Sequence, residues 1–262
     1  MDLSLSVEAI AFLVAVAAAA GFIDAIAGGG GLLTVPALLS AGIPPVMALG
    51  TNKVQSCFGT AIATWSYARA GQIRFRQMLI PIIGAFIGSL GGAAAMQRVE
   101  PSLLAGLVPG LLILIALYFL FSRSMGDVDS HQRMTPYAYG TVALALGFYD
   151  GFFGPGAGAF YTAGLISLLG FGMLKATANT KAMNLASNIG SIIVLGTAGQ
   201  VYWQVGLTMA VAAMIGARIG SKTAMRFGSR LIRPLLVVIS IAMTIRLLLD
   251  PNNPVAQLLW AG

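Results

Sequence analysis

The sequence GFIDAIAGGGG at residues 21–31 decides the fold, because a related sequence, GFYDGFFGPGAG, returns at residues 147–158. In each copy an aspartate lies in an apolar run and is followed by a cluster of glycines. Glycine adopts backbone conformations that other residues avoid, and both glycine and proline are poor helix formers. Each copy therefore predicts an apolar helix that carries a carboxylate and then breaks.

Further matched segments follow each copy in the same order. Lys53 matches Lys181, and AGQI at 70–73 matches AGQV at 198–201. Later in each copy, Gly88 and Gly92 match Gly216 and Gly220. Such a long internal repeat predicts two homologous halves in one domain. We predict a single transmembrane transport domain over residues 1–262, with boundaries near these positions: repeat 1 at 1–121, a linker at 122–135, repeat 2 at 136–249 and a short tail at 250–262.

The composition indicates an all-α integral membrane protein. The chain of 262 residues is 58% hydrophobic and 9% charged, against about 25% charged in an ordinary soluble domain. Long stretches, such as 10–23, 78–96 and 103–121, carry no charge. About 20 apolar residues suffice to span a bilayer.

Each half is expected to contain four long hydrophobic helices and one short apolar segment after a glycine break. The first half gives helices near 7–27, 32–41, 46–68, 77–97 and 101–121, with the break at 28–31. The second gives 136–153, 159–171, 174–197, 204–224 and 230–249, with the break at 154–158. The short segments, 32–41 and 159–171, count as partial or full crossings.

The basic residues predict that the two halves are inverted repeats. Arg69, Arg74 and Arg76 follow the third element of the first half, whereas the matching loop at 198–203 has no lysine or arginine. Conversely, Arg226, Arg230 and Arg233 precede the last helix of the second half, where the first half has only Arg98 beside Glu100. Because lysine and arginine favour the cytoplasmic side, equivalent loops are expected on opposite sides, with both termini external.

The N-terminal segment is expected to be a retained helix. It carries Asp2 and Glu8 and no basic residue, whereas a signal peptide needs a positively charged start. The net charge of +7 comes mainly from helix ends, where basic residues orient the chain and meet anionic lipid, so the bilayer and not nucleic acid is the expected partner. Cys57 is the only cysteine, and His131 is read as a solvated linker residue, so neither a metal nor another cofactor is expected.

Four charged residues lie within apolar segments: Asp24, Asp150, Lys53 and Lys181. A charge at the centre of a bilayer costs about 2.5–3.5 kcal/mol on insertion scales, so such residues are functional candidates and must be paired, hydrated or neutralised. One interpretation is an Asp–Lys salt bridge that holds a broken helix, or a lysine that reaches the interface. Another is that the aspartates exchange protons during transport.

A third interpretation is an anion site. Polar residues surround each lysine and would donate hydrogen bonds to anion oxygens: Thr51, Asn52, Gln55 and Ser56 in the first half, and Asn179, Thr180 and Asn184 in the second. Helices that start after a glycine break point free N–H groups and a positive dipole end toward the midplane. The glycines assigned to this site are Gly28, Gly29, Gly30, Gly31, Gly154, Gly156 and Gly158. Alternatively, they only let helices approach closely.

Other glycines are assigned to helix packing. Gly84, Gly88 and Gly92, and likewise Gly216 and Gly220, are spaced by four on apolar segments, the close-packing pattern of membrane helices. Homo-oligomerisation through these faces is possible, although packing within one subunit would use the same surface. Residues 216–223 resemble a phosphate loop, but an extra residue precedes the lysine and no strand precedes the motif, so nucleotide binding is not expected.

Three motifs resemble the TauE/SafE sulfite-exporter permeases: GFIDAIAGGGG at 21–31, GTNK at 50–53 and NTK at 179–181. The resemblance covers nearly the whole chain. It implies a multi-pass carrier of the bacterial cytoplasmic membrane for sulfite, sulfonates or related organosulfur anions. The second glycine motif departs from the family pattern at Pro155 and Ala157, which makes the two half-sites unequal.

The expected function is a secondary transporter with alternating access, coupled to protons or another ion, that binds a small anion between the halves. The alternative is an anion channel of the same architecture. An enzyme is not expected, because the apolar segments hold no histidine and no Ser–His arrangement. A purely structural scaffold would leave the matched polar clusters without a purpose.

Overall fold

The computed structural model describes residues 6–98, 128–129, 131–232, 234–235 and 238. This part of the chain is helical and contains no strand. The helices with defined bounds are α1 (Val7–Ala27), α2 (Gly31–Ser40), α3 (Pro45–Arg69), α4 (Phe75–Met96), α5 (Pro136–Phe152), α6 (Ala157–Leu169), α7 (Met173–Thr197) and α8 (Trp203–Phe227). Each expected helix in the described range is found within three residues of its predicted bounds. The expected helix at 101–121, most of that at 230–249 and most of the linker lie outside the described residues.

Local sequence accounts for the helix ends that shape the centre of the molecule. The Ser6 hydroxyl accepts a hydrogen bond from the Ala9 N–H and caps the start of α1. Gly28 ends α1 with φ +77°, and Gly156 precedes α6 with φ +82°. Side chains rarely adopt this left-handed conformation, so glycine is needed where each long helix stops and a short helix starts.

Each short helix folds back on the long helix before it. Leu13 and Ala17 of α1 pack in one apolar cluster with Ala37 and Leu38 of α2. In the second half, the Tyr139 hydroxyl of α5 donates to the Tyr161 carbonyl of α6 at 3.3 Å. The two glycine breaks are therefore the tips of two helical hairpins, α1–α2 and α5–α6.

The last described helix of each half packs tightly on the first helix of the other. A Cβ built on Gly88 would lie 2.0 Å from the Leu144 carbonyl oxygen of α5, and one on Gly216 would lie 2.0 Å from the Ala18 oxygen of α1. These glycines allow backbone contact, which confirms their assignment to packing. The contacts fall inside one subunit, so these faces are occupied without a second copy.

Gly88→Ala is expected to lower the free energy of unfolding by about 1–3 kcal/mol, because the added methyl would push α4 away from α5. Gly91 lies on the same helix, and a Cβ there would meet only the Phe148 ring at 3.6 Å. Gly91→Ala should therefore be neutral or stabilising. Thermal unfolding in detergent compares the two, and equal midpoints would contradict the packing assignment.

The protein exposes long apolar stripes and buries a cluster of polar side chains beside its apolar core. Leu207, Val211, Ile215 and Ile219 form an exposed stripe along α8, each at least 45% exposed. Polar and charged side chains are buried instead, including Asn52, Lys53, Asn179, Thr180 and Lys181. Helices α1 and α4 are long and apolar enough to cross a bilayer by length and composition. Exposed apolar stripes together with buried polar side chains are typical of a protein that lies in a membrane.

Contacts give the relative directions of the long helices. Helices α3 and α8 run parallel, because Thr51 contacts Tyr202 near their starts and Ser66 contacts Arg218 near their ends. Helices α3 and α7 run antiparallel. The Asn188 amide of α7 donates to the Thr60 hydroxyl of α3 at 3.4 Å, and the Asn179 amide, earlier on α7, donates to the Gln72 carbonyl just after α3. The middles of α3 and α7 thus cross at Thr60 and Asn188.

The end of the linker is attached to the start of α7. The Asp129 carboxylate accepts hydrogen bonds from the Gly172 N–H at 2.8 Å and from the Lys175 ammonium. Partial burial raises the pKa of Asp129, but these hydrogen bonds and the positive charges of Lys175 and Arg74 outweigh it and lower the pKa overall. The ionised carboxylate therefore helps to fix the linker at the helix N-terminus.

Candidate functional site

The two hairpin tips meet in the interior of the protein. A Cβ built on Gly28 would lie 2.5 Å from the carbonyl carbon of Gly158, and one on Gly158 would lie 2.5 Å from the Cα of Gly28. Only glycine at both positions permits this approach. The sequence left open whether the glycines serve packing or a site. Gly28 and Gly158 let the two breaks pack closely, and the assignment of the glycines to an anion site stays a prediction.

A small cavity lies where the tips meet. Its volume is about 30 Å³, room for about two water molecules. The predicted site residues that line it are Asp24, Gly28, Gly31, Asn52, Ser56, Asp150, Gly154, Gly156, Gly158 and Asn184. Residues that line it without having been predicted are Thr60, Ala157 and Asn188. Both halves therefore contribute to one cavity.

The starts of α2 and α6 face this cavity, and neither has a capping side chain on its own N-cap residue. Their N-cap residues are Gly30 and Gly156. The first N–H groups of a helix have no partner within the helix, and they carry its positive dipole end. The N–H of Gly30 donates to Asp24 Oδ1 at 3.3 Å. The N–H groups of Gly31 and Gly158 have no partner in the described part of the chain and are available to a ligand.

The Asn52 amide is oriented by its neighbours. Its Oδ1 accepts hydrogen bonds from the Thr34 hydroxyl, from Gln55 Nε2 at 3.0 Å and from the Ser56 hydroxyl at 3.4 Å. These donors occupy the carbonyl end, so the NH2 group points to the start of α2, where a Cβ on Gly31 would lie 3.3 Å from it. Asn52 therefore presents a donor to the cavity.

The Asn184 amide lies at the start of the other short helix. A Cβ on Gly158 would lie 2.9 Å from its Nδ2, and the residue is 6% exposed. Its Oδ1 is buried and has no hydrogen-bond partner among the described residues. An unsatisfied buried polar group is costly, so its presence at a cavity is typical of a ligand site.

The lysines bind carboxylates of the opposite half. The Lys53 ammonium lies 2.5 Å from Asp150 Oδ1 and also donates to the Asp150 carbonyl. The Lys181 ammonium lies 3.2 Å from Asp24 Oδ2 and donates to the Asp24 carbonyl. Lys53 and Lys181 are 2% and 0% exposed. The salt-bridge interpretation is thus the arrangement in this structure, and direct lysine contact with a substrate stays a prediction.

The two aspartates differ in their access to the cavity. The side chain of Asp150 is 6% exposed and that of Asp24 is 20% exposed. Asp24 also holds the break in place through the Gly30 N–H. The cavity therefore contains two carboxylates whose charges are offset by lysines, and Asp24 is the more open of them.

Several predicted site residues lie away from the cavity and hold the halves together. The Thr51 hydroxyl accepts from the Tyr202 N–H at 3.0 Å, and the Asn179 carbonyl oxygen accepts from the Arg74 N–H at 3.1 Å. Thr51 and Asn179 occupy equivalent repeat positions, and each binds the loop after the opposite half's AGQ motif. The remaining predicted residues outside the lining are Gly29, Gly30, Gln55 and Thr180.

Sequence reasoning missed Thr60 and Asn188, which meet at the crossing of α3 and α7. The spacing of polar residues in the sequence could have identified them. On α3, Asn52, Ser56 and Thr60 recur every four residues, and Asn188 follows Asn184 by four on α7. Such spacing places polar groups on one helix face.

The buried polar cavity between two broken helices, inside an apolar exterior, defines a membrane transporter. Residues 13–247 match the family described as Sulfite exporter TauE/SafE, and the chain belongs to this family. It is 48% identical to "Probable membrane transporter protein ORF9" of Sinorhizobium sp, over 98% of both chains. It is 43% identical to "Probable membrane transporter protein YfcA" of Escherichia coli (strain K12), over 94% of this chain and 92% of the relative.

A "Probable membrane transporter protein" of Haemophilus influenzae is 41% identical over 95% of this chain and 98% of its own length. No solved structure matches the chain. The relatives and the family agree with a membrane transporter rather than an enzyme.

Proposed function

We propose that this protein is a secondary carrier of small anions, namely sulfite, sulfonates or related organosulfur compounds, which bind between its two halves. The observation that carries the proposal is the meeting of two uncapped helix starts and two asparagine amides at one cavity. The substrate class comes from the family description.

The charges of the cavity favour an anion over a cation. Asp24 and Asp150 are each neutralised by a lysine, so no net negative charge remains to attract a cation. The N–H groups of Gly31 and Gly158 have no partner in the described part of the chain, and the NH2 groups of Asn52 and Asn184 lie beside them. Asn184 Oδ1 is an unpaired acceptor at the same place. Donors of this kind, aligned with helix dipoles, stabilise an oxyanion.

The halves are proposed to be inverted repeats that alternate access to this site. Helices α3 and α7 are equivalent in the repeat and run antiparallel. Lys53 pairs with Asp150 and Lys181 pairs with Asp24, so each half supports the break of the other. These ion pairs between the halves are consistent with a site at the interface of two repeats that move relative to one another.

The protein is proposed to be a multi-pass protein of the bacterial cytoplasmic membrane, with its N-terminus outside. Arg69 and Arg74 lie at the α3–α4 turn, and Arg226 lies at the end of α8, which runs parallel to α3. Lys175 lies near the start of α7, beside this turn. These basic residues lie at the same end of the helix bundle, which is cytoplasmic by the positive-inside rule. The start of α1 lies at the opposite end.

Transport is proposed to be proton-coupled through Asp24. Its carboxylate is the more exposed of the two and lies in the cavity wall, where an arriving anion would change its surroundings. Protonation of Asp24 would weaken its pairing with Lys181 and free that cation. The lysine would then contact the anion in one state of the cycle only.

Asn184→Ala is expected to weaken anion binding about tenfold or more with little loss of stability. Asn184 Oδ1 has no hydrogen-bond partner among the described residues, and Nδ2 lies beside Gly158 at the cavity. A hydrogen bond to a charged ligand contributes about 1.5–3 kcal/mol. The measurement is the rise in the thermal unfolding midpoint with increasing sulfite, an alkyl sulfonate, sulfate or chloride.

Asn179→Ala is the matched control, because Asn179 lies on the same helix and binds the loop at 72–74 rather than the cavity. It should lower the midpoint of the free protein but keep the response to the anion. Equal responses in the Asn184→Ala variant and the wild type would place the site elsewhere.

A further inference from the structure

A cluster of aromatic and basic side chains lies near the C-terminal ends of α3 and α8. The guanidinium carbon of Arg69 lies 5.1 Å from the centroid of the Trp65 ring, and that of Arg218 lies 4.7 Å from it. Arg218 also donates to the Ser66 hydroxyl at 2.8 Å. Stacking on one indole holds both guanidinium groups in place and brings two positive charges close together.

These two arginines have no acidic partner in the described part of the chain. The carboxylates of Asp24, Asp129 and Asp150 are bound to lysines. Glu8 lies at the start of α1, far from the ends of α3 and α8. Two adjacent unpaired guanidinium groups repel each other and favour an external anion.

The cluster lies where an apolar surface ends. Trp65 is 46% exposed, and the exposed stripe of α8 ends at Ile219, beside Arg218. Lys222 follows one turn later and is exposed. Tryptophan and arginine at the end of a lipid-facing surface are typical of the boundary between acyl chains and head groups.

We propose that Trp65, Arg69 and Arg218 bind the head group of an anionic phospholipid. The guanidinium groups contact its phosphate, and an acyl chain lies along the stripe from Ile219 toward Leu207. Basic residues near a membrane surface attract anionic lipid, and guanidinium pairs well with phosphate. The adjoining apolar stripe favours a lipid over free phosphate. This site is separate from the cavity between the hairpin tips.

The test titrates the detergent-purified protein with phosphatidylglycerol or phosphatidylcholine of the same acyl chains and follows the thermal unfolding midpoint. Phosphatidylglycerol should stabilise the wild type at lower concentration than phosphatidylcholine. Arg69 is exposed, and its stacking on Trp65 is the one contact of its side chain given by the described residues. Arg69→Gln should weaken the phosphatidylglycerol response about fivefold. Arg218→Gln should do the same.

Arg226→Gln is the matched control, because it removes one positive charge near the same end of α8 and a similar stacking contact, at 5.4 Å from the Phe227 ring. It should keep the wild-type response. Equal effects of the two lipids, equal loss in the Arg69 and Arg226 variants, or the same stabilisation by inorganic phosphate would each overturn the proposal. Anion binding in the cavity is measured separately with Asn184→Ala, so the two proposals fail independently.

Discussion

Lys53→Met is expected to lower the free energy of unfolding by about 3–5 kcal/mol, because it leaves a buried carboxylate without its cation. The carboxylate is that of Asp150, whose side chain is 6% exposed. The same substitution also removes the hydrogen bond that the Asp150 carbonyl accepts near the end of α5. Thermal unfolding in detergent measures the loss.

A double variant separates charge from packing. Lys53→Met with Asp150→Asn removes both charges and should recover much of the lost stability, since the penalty of the single variant is the unpaired ion. Lys175→Met is the control, because its partner Asp129 is 49% exposed and keeps its contact with water when the cation is removed. The loss of stability should therefore be smaller. A double variant no more stable than Lys53→Met would contradict the ion-pair account.

Gly28→Ala is expected to cost about 2–5 kcal/mol and to abolish anion binding. The residue has φ +77°, and an added Cβ would lie 2.5 Å from the backbone of Gly158. The side chain would therefore strain the turn and push the two hairpin tips apart, which would remove the cavity between them. Unfolding midpoints and the anion titration measure the two effects.

Gly42→Ala isolates the contribution of the backbone conformation. Gly42 has φ +81°, and a Cβ there would meet nothing within 4 Å. This variant should lose about 1–2 kcal/mol and should bind anions as the wild type does. If Gly28→Ala behaves like Gly42→Ala in both measurements, the meeting of the tips does not form the site.

The sequence predicted the helices well because their signals are local. Apolar runs of bilayer length and the glycine breaks lie within a few residues of the helix ends that they set. The internal repeat then gave an independent second estimate of each helix. Agreement between two halves is why even the short segments, α2 and α6, were placed correctly.

The partners of the charged residues could not be predicted in the same way. Lys53 could pair with Asp24 in its own half or with Asp150 in the other half. The local sequence is compatible with both pairings. The choice depends on how the hairpins dock, which Gly28 and Gly158 decide through backbone contact. The contacts of Thr51 and Asn179 could not be predicted from local sequence either. These polar residues lie beside the lysines, but they bind loops that are distant in sequence.

Exchange flux in proteoliposomes tests most directly whether the protein carries an anion by alternating access. Vesicles loaded with unlabelled sulfite or alkyl sulfonate should take up the labelled anion faster than empty vesicles, with saturation at high concentration, and Asn184→Ala should raise the concentration at half-maximal rate. Flux that does not saturate and is not accelerated by internal anion would contradict a carrier and indicate a channel.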